Sequence, residues 1–242
     1  MMYLNERIDD LQRGGLRVIQ RADAFRFGTD AVLLADFAAP RRHDRVCDLG
    51  TGTGIIPLLL YARENTISAD AVEIQPDMAD MAARSMAMNG LNEKIRVLSG
   101  DLRSIRTLLP HARYDLVTCN PPYGKAGGTL LNPDASKRLA RHEESCAIED
   151  VACAAAWLLQ NGGRLCCVFP AARMIELSDA MRKYRMAPKR IRMVHSRVEK
   201  AAHQCLMEGM LDARPGLIIE PPLVIYDENN AYTPELRRIY GL

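Results

Sequence analysis

The chain of 242 residues is long enough to bury a sizeable core, and it fits one α/β domain better than two domains of minimum size. Hydrophobic residues make up 48% of it and charged residues 26%, ordinary values for a globular protein that exclude an intrinsically disordered chain. The net charge of +2 neither requires nor excludes a polyanionic partner.

Cysteine usage and the first residues of the chain bear on the cellular compartment. The seven Cys show no CxxC spacing, so we expect neither a disulfide framework nor a zinc site. The N-terminus carries acids and Arg where a secretory signal has a basic flank and an apolar run. Charged and polar residues also interrupt every apolar tract before it reaches the length of a membrane span. We expect a cytoplasmic protein with no metal and no membrane partner.

Short apolar runs alternate with longer helical patterns, which is typical of parallel strands joined by crossover helices. The predicted strands are residues 45–49, 69–74, 95–98, 114–119 and 164–169, followed by β-rich stretches at 189–195, 205–210 and 216–226. The predicted helices are residues 55–63, 76–89, 148–161 and 171–184. The pattern indicates one α/β domain over residues 1–242, with a doubly wound, mostly parallel sheet covered by helices on both faces.

A glycine-rich segment with the letters DLGTGTG, residues 48–54, lies between the first of these strands and a helix. Glycine lets the backbone pass close beneath a ligand, and the helix start directs free N–H groups at the crevice above the strand ends. The segment therefore predicts a nucleoside-containing cofactor. The residues expected to hold it here are Asp48, Gly50, Thr51, Gly52 and Gly54.

Two more carboxylates end the neighbouring strands. Glu73, followed by Ile74, comes at the interval that suits an acid accepting from ribose hydroxyls. Asp101, followed by Leu102, lies on the same rim and is placed to accept from an adenine amine. Each acid has a simpler interpretation: a turn residue for Asp48, a solvated strand end for Glu73 and a helix N-cap for Asp101. Their occurrence after three successive strands favours the nucleoside site.

The glycine spacing argues against a nicotinamide dehydrogenase. It reads G-x-G-x-G rather than G-x-G-x-x-G, and it resembles motif I of class I methyltransferases. This resemblance implies S-adenosylmethionine as cofactor and a seven-stranded, Rossmann-like sheet. Upstream, an apolar helix is expected to begin with Thr29 or Asp30 as N-cap. The resemblance makes residues 1–40 a segment that covers the methionine end of the cofactor, through Phe27, Gly28, Thr29 and Asp30.

The tetrapeptide Asn120-Pro121-Pro122-Tyr123 follows the fourth predicted strand. The prolines supply no backbone N–H, so this stiff loop offers only acceptors and suits a substrate that donates. We expect the Asn120 side chain and the Pro121 carbonyl to accept both N–H groups of an exocyclic ring amine, while Tyr123 stacks on the ring. Positioning then replaces a metal or a strong base. An ordinary proline turn is the alternative, but the tetrapeptide resembles motif IV of amino-methyltransferases.

The ordered motifs resemble, over nearly the whole chain, the bacterial family that methylates N6 of the adenine beside the anticodon in a valine tRNA. Residues 25–30, 48–54, 120–123, 141–143 and the tail 216–233 carry this resemblance, and the last two segments are the more distinctive. It implies a tRNA substrate. An anticodon loop also suits the chemistry, because extruding a base from a hairpin loop costs less than extruding it from a duplex.

A long irregular segment, residues 123–144, is expected to face this substrate. Its basic residues are predicted to contact RNA phosphates, although a solvated basic loop is the alternative. These residues are Lys125, Lys137, Arg138 and Arg141. His142 and Glu143, which follow them, either shape the pocket or cap the next helix.

Three other functions stay open. Glutamine methyltransferases of release factors share the Asn-Pro-Pro-Tyr motif, but they carry a helical N-terminal domain for which we expect this chain to have no room. DNA adenine methyltransferases usually carry a target-recognition region that the sequence also lacks. The third alternative, from another class, is a non-catalytic RNA-binding module that retains the fold.

Overall fold

A computed structural model describes residues 3, 5–21, 28–121 and 148–242 of the chain. These residues form eleven strands, which are β1 (Glu6–Asp10), β2 (Arg17–Arg21), β3 (Arg45–Leu49), β4 (Ser68–Glu73), β5 (Ile95–Ser99), β6 (Tyr114–Cys119), β7 (Leu159–Pro170), β8 (Met186–His195), β9 (Ala202–Leu211), β10 (Ile218–Ile219) and β11 (Leu223–Val224). The α-helices in the same ranges are α1 (Thr29–Ala38), α2 (Ile55–Arg63), α3 (Pro76–Met88), α4 (Ile105–Leu108), α5 (Ile148–Leu158), α6 (Met174–Lys183) and α7 (Pro234–Tyr240).

One sheet contains nine of these strands in the order β10-β8-β9-β7-β6-β3-β4-β5, and β11 also pairs with β8. The pairings from β5 to β7 are parallel, whereas β9 is antiparallel to both β7 and β8. The predicted doubly wound, mostly parallel sheet is therefore confirmed. The strand number is corrected from seven to nine. Pro221 and Pro222 split the predicted stretch 216–226 into two edge strands of two residues each, because proline cannot donate to the ladder.

The core consists of two hydrophobic clusters, one on each face of the sheet. Along β3, Val46 belongs to the cluster with α1 and α2, while Cys47 belongs to the cluster with α5 and α6. The same alternation holds at Leu116 and Val117 on β6. Successive strand side chains point to opposite faces, so both faces of the central strands are buried beneath helices.

An antiparallel hairpin of β1 and β2, which the sequence analysis did not predict, packs against α3. The Ile19 N–H donates to the Ser85 hydroxyl oxygen over 3.0 Å, and the Arg84 guanidinium lies 2.6 Å from the Glu6 carboxylate. These partners are distant in sequence, so tertiary contacts stabilise the hairpin. It lies within the predicted covering segment 1–40.

Several predicted boundaries shift by a few residues. The helix predicted over 148–161 ends at Leu158, where β7 begins. The predicted N-cap of α1 was wrong: Gly28 caps the helix, and neither Thr29 nor Asp30 lies outside it. Of the helices described, none is long and apolar enough to cross a membrane.

Candidate active site

The topological switch point of the sheet lies between β3 and β6, because the chain order runs outward from β3 to β5 on one side and from β6 to β7 on the other. Ligands of open α/β sheets bind outside the carboxyl ends of the strands at this point. In the register, Leu49 pairs with Cys119 on β6 and with Val72 on β4. The next residues, which lie at one level on the rim, are Gly50, Asn120 and Glu73.

The glycines of the turn after β3 have positive φ angles of 70° at Gly50, 57° at Gly52 and 83° at Gly54, which L side chains rarely adopt. A Cβ at Gly50 would meet nothing within 4 Å, so this residue leaves open space above the strand. A Cβ at Gly54 would lie 2.5 Å from Met86 Cε and 3.3 Å from Ala82 Cβ. The first glycine thus opens the crevice, and the last lets α2 pack against α3.

Glu73 is only 5% exposed, so its interpretation as a solvated strand end is wrong. Its Oε2 accepts from the Gly52 N–H over 2.8 Å, and its Oε1 accepts from the Gln75 N–H over 2.9 Å. Each carboxylate oxygen keeps a second lone pair, so Glu73 is a fixed acceptor beside the glycine turn. The next residue, Ile74, is 42% exposed and offers an apolar surface at the same strand end.

Asp48 is fully buried within β3, so it is a strand residue rather than a turn residue. The Thr118 hydroxyl donates to its Oδ1 over 2.6 Å. Asp48 Oδ2 and the nearby Thr51 Oγ1 are buried and, among the described residues, form no hydrogen bond of regular geometry, although the Thr51 hydroxyl is close enough to lower the pKa of Asp48. Burial raises the pKa of Asp48 to about 7, although the Thr118 hydrogen bond lowers it. A buried carboxylate and a buried hydroxyl beside the glycine turn fit a polar ligand, since the carboxylate accepts from an ammonium group and the hydroxyl can accept or donate.

Thr118 is a residue of the site that the sequence analysis missed. It faces Asp48 directly in the parallel register of β3 and β6, and it is fully buried. It lies two positions before Asn120, so its hydrogen bond connects β3, which precedes the glycine turn, to the strand that carries the predicted catalytic loop. A polar residue facing a buried acid on the neighbouring strand was the available signal, but it requires the strand pairing to be known.

Asp101 is the N-cap of a 3₁₀ turn, Leu102–Ser104, and it accepts from the Arg103 N–H over 2.9 Å. Its Oδ2 also lies 2.6 Å from the Arg103 guanidinium, which holds the pKa of Asp101 below its usual range. The capping interpretation is therefore confirmed. Leu102 is half-buried beside it. Contact of either residue with an adenine stays a prediction.

The start of α1 lies at the same edge as the crevice. Arg164 fixes the other end of the helix by donating to the Ala38 carbonyl over 3.0 Å, close to Asp44 at the amino end of β3. Thr29 and Asp30 are therefore at the carboxyl edge of the sheet. The predicted cofactor residue Phe27 lies outside the described residues.

Of the predicted catalytic tetrapeptide, the structure describes the first two residues. Asn120 is half-buried and Pro121 is buried, both directly after β6. Pro122, Tyr123 and the following segment lie outside the described residues, as do Lys125, Lys137, Arg138, Arg141, His142 and Glu143. Within the described ranges, no group of three or more His, Cys, Asp or Glu residues is arranged to hold a metal ion.

Comparison with known proteins gives consistent matches. The family model described as methyltransferase small domain matches residues 22–191. The chain is 32% identical over 231 residues to a tRNA1(Val) (adenine(37)-N6)-methyltransferase from Porphyromonas gingivalis, with 91% of this chain and 89% of the relative covered. It is 34% identical over 216 residues to the enzyme of the same name from Tolumonas auensis, with coverage of 88% and 86%.

Among solved structures, a predicted O-methyltransferase from Agrobacterium tumefaciens superimposes with a TM-score of 0.73. It is 24% identical in sequence, and the match covers 88% of this chain and 95% of that one. At this identity the likeness concerns the fold alone.

Proposed function

The chain belongs to the methyltransferase small domain family and, within it, to the tRNA1(Val) (adenine(37)-N6)-methyltransferases, and from this membership we propose that it methylates the N6 amine of adenine 37 in a valine tRNA. The methyl donor is S-adenosylmethionine, and the cytoplasm, where tRNA is modified, is the proposed location. The observation that carries the proposal is the strand register, which brings Asn120 to the level of Gly50 and Glu73 on one rim.

The crevice fits S-adenosylmethionine on three counts. Glu73 is a fixed acceptor for the ribose hydroxyls, and Ile74 presents an apolar surface for the adenine, with Asp101 and Leu102 on the next strand end. The buried Asp48 carboxylate and Thr51 hydroxyl suit the ammonium and carboxylate groups of the methionine end. Residues 1–40, including Phe27, Gly28, Thr29 and Asp30, are proposed to cover that end. When bound, the cofactor supplies an electrophilic methyl group on a sulfonium.

The protein's own part in the reaction is to orient the amine. A ring amine is a poor nucleophile because its lone pair is delocalised into the ring. Asn120 Oδ1 and the Pro121 carbonyl accept its two N–H groups, which localises the lone pair and directs it toward the crevice, while Pro122 keeps the loop stiff. Tyr123 is proposed to stack on the base. Lys125, Lys137, Arg138 and Arg141, in the proposed substrate-facing loop 123–144, contact the RNA phosphates.

The first test is Asn120→Ala with the purified protein, labelled cofactor and tRNA. The rate of methyl transfer is expected to fall by at least about 100-fold, comparable to losing one transition-state hydrogen bond. Cofactor affinity measured by calorimetry should stay close to wild type, because Glu73 and the glycine turn are intact. Asn92→Ala, an exposed asparagine near the opposite edge, is the matched control and should retain full activity. Full activity of Asn120→Ala would remove this residue from the chemistry.

Two alternative functions are separated by the same assay. If a release factor is labelled and tRNA is not, the acceptor is a glutamine amide, which offers a similar planar N–H₂ group. If no cofactor binds while tRNA does, the chain is an RNA-binding module that retains the fold. The proposal requires labelled tRNA, with the label recovered as N6-methyladenosine.

A further inference from the structure

The tail of the chain, which the proposed chemistry does not use, forms a row of three tyrosines. The ring centroids of Tyr226 and Tyr232 are 5.5 Å apart with the planes tilted by 30°. Those of Tyr232 and Tyr240 are also 5.5 Å apart, with the planes at 16°. The Tyr240 hydroxyl donates to Thr29 Oγ1 over 3.2 Å. The row therefore runs from the tail to the first residue of α1, beside the crevice.

Tyr226, at the outer end of this row, lies above the same edge of the sheet as Asn120. Strand β11 is parallel to β8, and its Val224 pairs with His195, the last residue of β8. The Tyr226 N–H donates to the Ser196 carbonyl over 3.0 Å, just beyond that strand end. Strands β8 and β7 are both antiparallel to β9, so they run in the same direction. The carboxyl end of β8 therefore lies on the same edge of the sheet as Gly50 and Asn120. Four strand spacings, about 19 Å, separate β11 from β6.

The backbone around Tyr226 is held by several hydrogen bonds. Asp227 Oδ1 accepts from the N–H groups of Asn229 and Ala231 over 2.8 Å and 2.9 Å. The Asp227 carbonyl accepts from the Arg197 guanidinium over 3.0 Å. With Tyr232 behind it, the Tyr226 ring has a fixed position, so a partner that contacts it loses little side-chain entropy on binding.

The exposed residues around Tyr226 are mostly polar. The ring residue is 38% exposed, and Glu228, Asn229 and Asn230, which follow it in the tail, are exposed. The adjacent loop between β8 and β9 exposes Val198, Glu199 and Lys200. A fixed aromatic ring in a polar setting, on the rim where an RNA base must enter, has the features of a stacking platform for an unpaired base.

We propose that Tyr226 stacks on an unpaired base of the anticodon loop and forms an RNA contact separate from the catalytic crevice. The proposal rests on the proposed function, because it requires a tRNA substrate. Extruding the target adenine toward Asn120 leaves neighbouring bases without a stacking partner. A ring fixed on the same rim, four strand spacings away, gives another unpaired base of the loop a stacking partner and helps to hold the loop open.

The test compares Tyr226→Ala, Tyr226→Leu and Tyr226→Phe in binding to an anticodon stem-loop RNA and in methylation of tRNA. Phenylalanine keeps the ring, so its variant should match wild type. The other two variants should bind about ten-fold more weakly, within the range measured for lost base–aromatic contacts, and show a similarly higher KM for tRNA. Cofactor affinity and the rate at saturating tRNA should not change. Tyr184→Ala is the matched control, because Tyr184 lies just before the amino end of β8, on the side of the sheet away from the crevice.

Salt dependence separates stacking from phosphate contact. Loss of a stacking contact should leave the slope of log K against log salt unchanged, whereas loss of a phosphate contact reduces it. Wild-type affinity in Tyr226→Ala, or equal affinity of the Leu and Phe variants, would overturn the proposal. If wild-type protein methylates no tRNA, the proposed function fails independently, and stem-loop binding still reports on Tyr226.

Discussion

At the scale of single residues, the buried acid Asp48 is the group that most departs from ordinary behaviour. It is fully buried, and only one of its carboxylate oxygens forms a hydrogen bond of regular geometry among the described residues. The nearby Glu73 carboxylate raises the pKa of Asp48 further, whereas the hydroxyls of Thr118 and Thr51 lower it. Its raised pKa, about 7, is therefore mainly a consequence of desolvation.

This pKa makes stability depend on pH in a defined direction. A carboxyl whose pKa is higher in the folded than in the unfolded protein stabilises the fold at pH values below its ordinary pKa near 4, and that contribution is lost as the pH rises through about 7. Relative to Asp48→Asn, the free energy of unfolding of wild type should fall by up to roughly 4 kcal/mol across this window. Urea unfolding of both proteins at several pH values measures the difference. Parallel pH profiles would contradict the shift.

Residue types alone predicted much of the site but not its internal contacts. Asp48, Glu73 and Asn120 follow from their positions at strand ends, which a single sequence reveals. The hydrogen bond of Thr118 to Asp48 depends on the pairing of β3 with β6, two strands separated by 64 residues or more in the chain, so no local pattern contains it. The two hydrogen bonds that Glu73 accepts from backbone N–H groups likewise form only in the folded protein, so the sequence pattern does not predict them.

At the scale of elements, the turn between β3 and α2 needs glycine for two different reasons: one glycine leaves space for a ligand, and another allows close packing against α3. Gly50 and Gly54 both need a positive φ, but only the second is crowded by neighbouring side chains. Met86 Cε is the flexible end of a side chain and can move, whereas Ala82 Cβ belongs to the backbone geometry of α3. Substitution should therefore have different consequences at the two positions.

We expect Gly54→Ala to lower the free energy of unfolding by about 2 to 3 kcal/mol, from backbone strain together with overpacking. Gly50→Ala should cost only the strain, about 1 to 2 kcal/mol. Its methyl group would nevertheless project into the crevice, so this variant should lose more cofactor affinity than its stability loss suggests. Urea unfolding and calorimetry of the two variants give both quantities. Equal stability losses would contradict the assignment of Gly54 to helix packing.

The elements that the sequence did not predict are those whose position depends on contacts with residues far away in the chain. The central strands and helices carry strong apolar patterns, so their positions were predicted within a few residues, apart from the amino end of β7. The β1–β2 hairpin is rich in charged residues, and its position depends on contacts of Ile19 and Glu6 with α3. Gly28 caps α1 without a side-chain hydrogen bond. The polar residues Thr29 and Asp30 beside it therefore led to a wrong prediction of the N-cap.

At the scale of the whole molecule, a buried ionic network connects the two halves of the sheet. Glu208 on β9 accepts from Arg164 on β7 over 3.2 Å and from Arg190 on β8 over 3.0 Å. Arg164 also lies 3.4 Å from Asp44, before β3. These contacts fix the antiparallel edge, which carries the tyrosine row, relative to the strands that carry the crevice. The tyrosine row and the crevice therefore lie on one sheet whose two halves this network connects.

The central claim is that this rim methylates N6 of adenine in tRNA. Mass spectrometry of tRNA nucleosides from a strain lacking the gene tests it most directly, with complementation by wild type or by Asn120→Ala. We predict that N6-methyladenosine disappears from valine tRNA, returns with the wild-type gene and does not return with the variant. An unchanged level of N6-methyladenosine in the deletion strain, or its restoration by Asn120→Ala, would contradict the account.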